Sequence, residues 1–235
     1  MQNVVNALRA LEEVAARQPI GVGELARVLG LPKSTVQRSL RTLHEAGWIR
    51  PAGGEVTRWL VTTKALQVGR RAELGLRDVA LPVMEELRQR TGETVHLAVP
   101  EGDAVVLIER LETDKPLRIV LPLGIRLPLH ASANGKAFLA HLDRELPGLE
   151  IYTDTTIADP ETLRAELAAI RARGWADNRG EWRSDITAVA AAVLGADGPV
   201  ASLSISLPAT RMTDALRPVF GELVTEAAAR IAAGL

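Results

Sequence analysis

Three serines and one short basic stretch are the residues of this 235-residue chain whose placement could do chemistry. Ser204 and Ser206 stand two apart in the apolar run "PVASLSISL", so on a strand both hydroxyls point to one face. Buried hydroxyls need partners, and either neighbouring backbone or a bound ligand can supply them. Ser132, in "LPLHASANGKAFLAHL", stands where an N-cap would, ahead of a helix through about His141. The free N–H groups and positive dipole end of that helix would favour a small carboxylate around Ser132–Lys136. The basic stretch is "LPKSTVQRSLRTLHEAGWIR", Leu31–Arg50, where Lys33, Arg38, Arg41 and Arg50 face a single acid, Glu45. Such a run is either a solvated face or a surface made to sit against phosphate.

The elements around the basic stretch decide between those two. Val4, Leu8, Leu11 and Val14 or Ala15 recur at helical spacing, which predicts an amphipathic helix over 2–17, ended by Pro19. "GELARVLG" predicts a second helix with Gly30 as a left-handed C-cap. Pro32 suits the first turn of a third, whose Val36, Leu40 and Leu43 line one face and which Gly47 stops. Two apolar stretches follow, Trp48–Ile49 and Val56–Val61, around a Gly53-Gly54 hairpin signal. Three helices, a tight turn and a hairpin make a winged helix-turn-helix, whose recognition helix enters the major groove of double-stranded DNA. Ser34, Thr35, Gln37 and Arg38 then stand where base edges are read. Lys33 and Arg41 are better placed for phosphates, and Arg58, with Arg50, would flank the wing.

The charge distribution agrees. Residues 1–75 carry 11 Lys/Arg and 6 Asp/Glu, whereas the rest carry 17 and 23, so a basic head is joined to an acidic body. There is no cysteine, which removes disulfides, thiolate nucleophiles and cysteine-ligated zinc. The first twenty residues lack an apolar signal-peptide core, and no apolar run is long enough to span a membrane, so a cytoplasmic location is expected.

The body is predicted as α+β. Residues 63–76 look like a linker helix, and Asp78 is a candidate cap for the next one, with Leu81, Met84 and Leu87 inward. "ETVHLAVPEGDAVVLIERL" predicts two strands about Glu101-Gly102-Asp103, and "LRIVLPL" a further strand. Leu163, Leu167 and Ile170 mark a helix closed by Gly174. "ITAVAAAVLG" and "PVASLSISL" predict central strands, and a last helix carries Phe220, Ala227 and Ile231.

Competing chemistry is thin. His44, His96, His130 and His141 have no ligand spacing, so no metal is expected, and no cofactor motif is present. "NGK" lacks the glycine a phosphate loop needs at position 130. Glu181 and Asp185 form no acid/base pair with a nameable partner. Trp175 and Trp182 fit core or interface packing better than stacking on a flat ligand. An enzymatic reading would need Ser132, Ser204 or Ser206 as nucleophile and His130 as base, but no third residue orients the histidine. A module that binds DNA without any effector is the remaining alternative.

The segments "VGELARVLGLPKSTVQRSLRTLHEAGWI", "TGETVHLAV", "LPLHASANGKAFLA", "RARGWA", "AVAAAV" and "ASLSISLP" fall in this order along nearly the whole chain. In these the chain resembles the IclR-type bacterial transcriptional regulators. The resemblance implies a winged helix-turn-helix over 1–62, a linker helix over 63–76 and a GAF-like mixed α/β effector-binding domain over 77–235. It implies a homodimer or tetramer acting as repressor or activator, and the half-site spacing of dimeric helix-turn-helix proteins then predicts a palindromic or near-palindromic operator. It also implies an effector held by backbone near Ala133 and Asn134, by Asn178 and by Ser204 and Ser206, with Ala188 nearby. A small organic acid, aromatic acids included, is the expected effector, with Ile119, Leu121 and Leu129 as apolar walls. Asn134 and Asp185 depart from the family pattern, in which a smaller residue and a glycine are usual. "TRWLVTTKAL" replaces the usual tyrosine-containing run after the wing.

Overall fold

The computed structural model describes residues 2–54, 56–69 and 74–235, which fall into two compact units, Met1–Leu74 and Gly75–Leu235. The first contains α1 (Gln2–Arg17), β1 (Ile20–Gly21), α2 (Val22–Leu29), α3 (Lys33–Glu45), β2 (Ile49–Ala52), β3 (Arg58–Val61) and α4 (Lys64–Gly69). The three strands form an antiparallel sheet in the order β1-β3-β2. The α2–α3 turn is set by Gly30, whose φ of 65° lets the Leu31 N–H reach back to Ala26 O at 3.1 Å. Gly47 ends α3 in the same way, with Trp48 N–H on Leu43 O at 2.8 Å. Ile20, Leu25, Val36, Leu40 and Ile49 close a small core.

Two expectations for this unit change. Helix α1 buries Asn6, Ala10 and Val14, whereas Val4 and Leu8 are more than half exposed. Val14 keeps its expected inward place and Leu11 packs against the core, while Asn6 and Ala10 take the places of Val4 and Leu8 on the inward face. The second wing strand begins at Arg58, and Val56 is exposed in the wing loop.

The second unit contains α5 (Leu74–Thr91), β4 (Thr94–Glu101), β5 (Ala104–Leu111), β6 (Arg126–Pro128), α6 (Ala133–Leu139), α7 (Pro160–Arg173), β7 (Ala176–Arg179), β8 (Ile186–Gly195), β9 (Gly198–Pro208) and α8 (Leu216–Ala233). Six antiparallel strands run in the order β6-β5-β4-β9-β8-β7. Alternation along β8 and β9 sorts their side chains into two layers. Val189, Val193, Leu203 and Ile205 pack with α5 and α8; Ile186, Ala188 and Ala190 pack with α6 and α7. Ser202, Ser204 and Ser206 therefore point toward the α6 side.

Asp78 lies inside α5 rather than at its cap, and residues 70–73 of the expected linker helix lie outside the described residues. "LRIVLPL" is not a strand. Pro116 and Pro122 remove donors that a ladder would need, and Arg110 donates to Leu121 O instead. Ile119 and Leu121 are still buried from this irregular segment. Strand β7, which no local pattern announces, pairs Asn178 with Ala188.

Candidate DNA-binding face and effector pocket

On α3 the inward residues are Val36, Ser39, Leu40 and Leu43. Lys33, Ser34, Gln37, Arg38 and Arg41 are exposed along the opposite side, and Thr35 is half-buried at its margin. None of the three cations there has a carboxylate within ion-pair distance among the described residues. Arg58 differs: it donates to Pro19 O at 2.7 Å and lies 3.8 Å from Glu24. Arg50 is exposed on β2.

In the second unit the strand register brings distant residues into a row. Thr94 pairs with Ser206, Ser206 with Ala188, and Ala188 with Asn178, across β4, β9, β8 and β7. The next row joins His96, Ser204 and Ala190. Over the first row lies a cleft lined by His96, Leu121, Leu127, Ser132, Ala133, Asn134, Asn178, Trp182, Arg183, Ile186, Ala188 and Ser206. Of the residues expected at an effector site, Leu121, Ala133, Asn134, Asn178, Ala188 and Ser206 meet here. Ser204 lies one rung away, and Ile119 and Leu129 are core residues that do not line the cleft.

Much of the polar lining is already committed. Asn178 Nδ2 donates to Ala131 O, and Asn178 Oδ1 accepts from Gly180 N at 3.0 Å. Asn134 Nδ2 donates to Ser202 O and Oγ, both at 3.2 Å. Helix α6 has seven residues rather than running to His141, and Ser132 Oγ already caps Gly135 N at 2.9 Å. The expected dipole-held carboxylate therefore loses its main support, because so short a helix sums few peptide dipoles.

His96 is the residue that sequence reasoning missed; its place in an alternating strand resembles any inward residue. Its Nδ1 pairs with Ser206 Oγ at 3.0 Å, and burial, helped by Arg110, lowers its pKa to about 3. The imidazole is thus neutral at physiological pH. Its Nε2 and Ser204 Oγ are buried without a hydrogen-bond partner among the described residues. Orphaned polar atoms beside a cleft are what a ligand or water would satisfy.

The family assignment follows from sequence and structure comparisons. Residues 3–53 match the IclR helix-turn-helix domain, and residues 70–233 match the family described as bacterial transcriptional regulator IclR C-terminal. The chain belongs to the IclR family of transcriptional regulators. It is 32% identical to the transcriptional repressor IclR of Escherichia coli K12, over 98% of this chain and 89% of that protein. It is 36% identical to the HTH-type regulator BhcR of Paracoccus denitrificans, over 97% and 85%. Among solved structures, an IclR homolog from Microbacterium hydrocarbonoxydans complexed with 4-hydroxybenzoate superposes with a TM-score of 0.83. It shares 27% identity, covering 99% of this chain and 98% of that one.

In this IclR-family chain the C-terminal unit has the mixed α/β build that the resemblance implied. Its cleft is braced by a buried ion pair: Lys136 Nζ, 1% exposed, reaches both Glu181 carboxylate oxygens at 2.7 Å. Gly135 is demanded by close approach, since a Cβ there would meet Pro128 O at 2.2 Å and Leu129 Cα at 2.6 Å. Both neighbours are backbone and cannot swing aside. Gly135→Ala is expected to destabilise the unit by about 1–3 kcal/mol, the usual cost of overpacking. A lowered urea midpoint with an unchanged m-value would show it. An unchanged midpoint would mean that α6 moves freely over β6.

Proposed function

We propose that this regulator binds a near-palindromic operator as a dimer or tetramer, and that a small organic acid bound in the C-terminal cleft alters its operator affinity. The observation that carries the ligand reading is the pair of orphaned polar atoms, His96 Nε2 and Ser204 Oγ, beside the cleft. The bound 4-hydroxybenzoate of the Microbacterium homolog supports an acid, aromatic acids included. The cleft has room for about one water, ≈ 20 Å³. An acid of several heavy atoms therefore enters only when the lining shifts, which gives it a means to favour one conformation over another.

The operator reading rests on the exposed side of α3, with Ser34, Thr35, Gln37 and Arg38 on base edges and Lys33 and Arg41 on phosphates. Assembly is favoured by the apolar side of α1, where Val4 is 64%, Val5 47% and Leu8 53% exposed. Two recognition helices related by a two-fold axis call for a matching repeat in the DNA. No helix among the described residues is long and apolar enough to cross a membrane. A DNA partner would place the protein in the cytoplasm.

The chain is read as a binding protein rather than an enzyme. His130 Nε2 donates to Glu150 O at 2.8 Å and Ser132 Oγ donates to Pro128 O at 2.7 Å, so the serine–histidine arrangement considered above is not assembled. The Ser206–His96 pair has an imidazole too weakly basic to take a serine proton at neutral pH.

Fluorescence anisotropy on DNA upstream of the protein's own gene, across a salt series and a panel of small aliphatic and aromatic acids, tests the proposal. The expected result is salt-dependent binding that one acid shifts by about 5- to 150-fold, the usual range of coupling between sites. Specific binding that no acid alters would refute the effector reading and leave the operator reading standing.

A further inference from the structure

Arg183 is the one charged residue among the described residues that line the cleft. The remaining polar lining is neutral: His96, Ser132, Asn134, Asn178 and Ser206 carry no charge at physiological pH. The backbone around Arg183 is pinned on both sides. Thr156 Oγ1 donates to Glu181 O at 2.6 Å and Thr153 Oγ1 to Gly180 O at 2.7 Å. Ile186 N–H reaches Arg183 O at 3.1 Å, and Ala209 N–H reaches Asp185 O at 3.0 Å. What remains free is the side chain.

The resting partner of that side chain is loose. Arg183 Nε stands 3.5 Å from Asp185 Oδ1, with the two side chains 50% and 65% exposed. Exposed pairs of this kind contribute little, so exchanging one carboxylate for another is easy. Nearby cations are more closely paired: Arg217 and Arg179 on Asp177, Lys136 on Glu181, and Arg110 on Glu112 and the Leu121 carbonyl.

We propose that Arg183 is the carboxylate-binding residue of the cleft and that Asp185 is its competitor, so that an acid effector takes the place of Asp185 on the guanidinium. This rests on the effector reading above. It adds the orientation of the ligand, with its carboxylate at the mouth beside Arg183 and its less polar end toward Leu121, Ile186 and Ala188. It also assigns the site to monoanionic acids over their neutral amides, since a planar guanidinium matches a carboxylate by two parallel bonds.

Calorimetric titration of the full-length protein tests this with matched acid and amide probes: 4-hydroxybenzoate and 4-hydroxybenzamide, benzoate and benzamide, pyruvate and pyruvamide. The pair whose acid binds wild type tightest is then carried through the variants. Wild type is expected to prefer the acid at least tenfold. Arg183→Gln should bring the acid-to-amide ratio near one while leaving amide affinity unchanged, which a merely structural role would not do. Asp185→Asn should tighten acid binding two- to fivefold, and that gain should vanish in the Arg183→Gln background. An acid that binds Arg183→Gln as tightly as wild type overturns this inference and leaves the effector reading intact. So does an Asp185→Asn variant indistinguishable from wild type. If none of the acids binds wild type, the effector reading itself fails and this assignment falls with it.

Discussion

Lys136→Met is expected to destabilise the C-terminal unit by about 3–5 kcal/mol, because it leaves the Glu181 carboxylate buried without its partner. The pair is among the least accessible in the chain, with side chains 1% and 8% exposed. Burial already pushes the Glu181 carboxyl above its ordinary value, and Lys136 opposes that push. Removing the ammonium lets the carboxyl rise further, so it takes up a proton closer to neutrality. The sign of the pH effect follows. A carboxyl whose folded pKa is raised loses stability as pH rises between its unfolded and folded values. The penalty of Lys136→Met should accordingly be full near pH 8 and clearly smaller near pH 5. Urea unfolding at the two pH values checks this. Adding Glu181→Leu to Lys136→Met should restore most of the loss, since a well-packed apolar pair can replace a buried ion pair. A single variant with wild-type midpoints at both pH values would mean that water reaches Glu181. The pair also has a functional consequence: Glu181 leads directly into Trp182 and Arg183, so its anchoring sets where the mouth of the cleft lies.

Arg38→Ala is expected to weaken operator binding by roughly 1–3 kcal/mol, about 5- to 150-fold, and to relax preference at one base position. Arg38 is exposed on α3, and its nearest helical neighbours supply no acid; Thr42 Oγ1 bonds only to its backbone oxygen, at 3.1 Å. Its guanidinium is therefore available without first breaking an ion pair among the described residues. Lys33→Ala is the contrasting case, in which specific and non-specific DNA should weaken alike and the slope of log affinity against log salt should fall by about one. Anisotropy titrations on the footprinted operator and on scrambled DNA separate the two. Equal losses on both DNAs for Arg38→Ala would make it a phosphate contact rather than a reader of bases.

Some of this molecule is legible one element at a time. The α2–α3 turn is written in Gly30 and Pro32, because few residues tolerate a left-handed φ and proline cannot continue a helix. The β8–β9 hairpin and the helix ended by Gly174 are equally local, since a burial period and a turn residue specify them. The serine spacing at 204 and 206 determined that the two hydroxyls share a face, and the excess of cations over 31–50 determined the character of α3.

What surrounds those hydroxyls was decided only by the fold. The row Thr94–Ser206–Ala188–Asn178 joins residues up to 112 positions apart through strand register, a property of pairs of strands that no single segment encodes. His96 meets Ser206, and Lys136 meets Glu181, for the same reason. Local composition was also misleading where the chain had a better long-range option. The apolar "LRIVLPL" gave up strand geometry because Pro122 and the preceding Pro116 withhold donors and Arg110 could bond its backbone, while α1 turned Asn6 and Ala10 inward in place of Val4 and Leu8. The amino-acid sequence by itself thus determined a DNA-binding head, an α+β body and a face of serines. The tertiary structure decided which neutral groups and which single cation gather at the cleft, because only folding brings strands and loops from opposite ends of the body together.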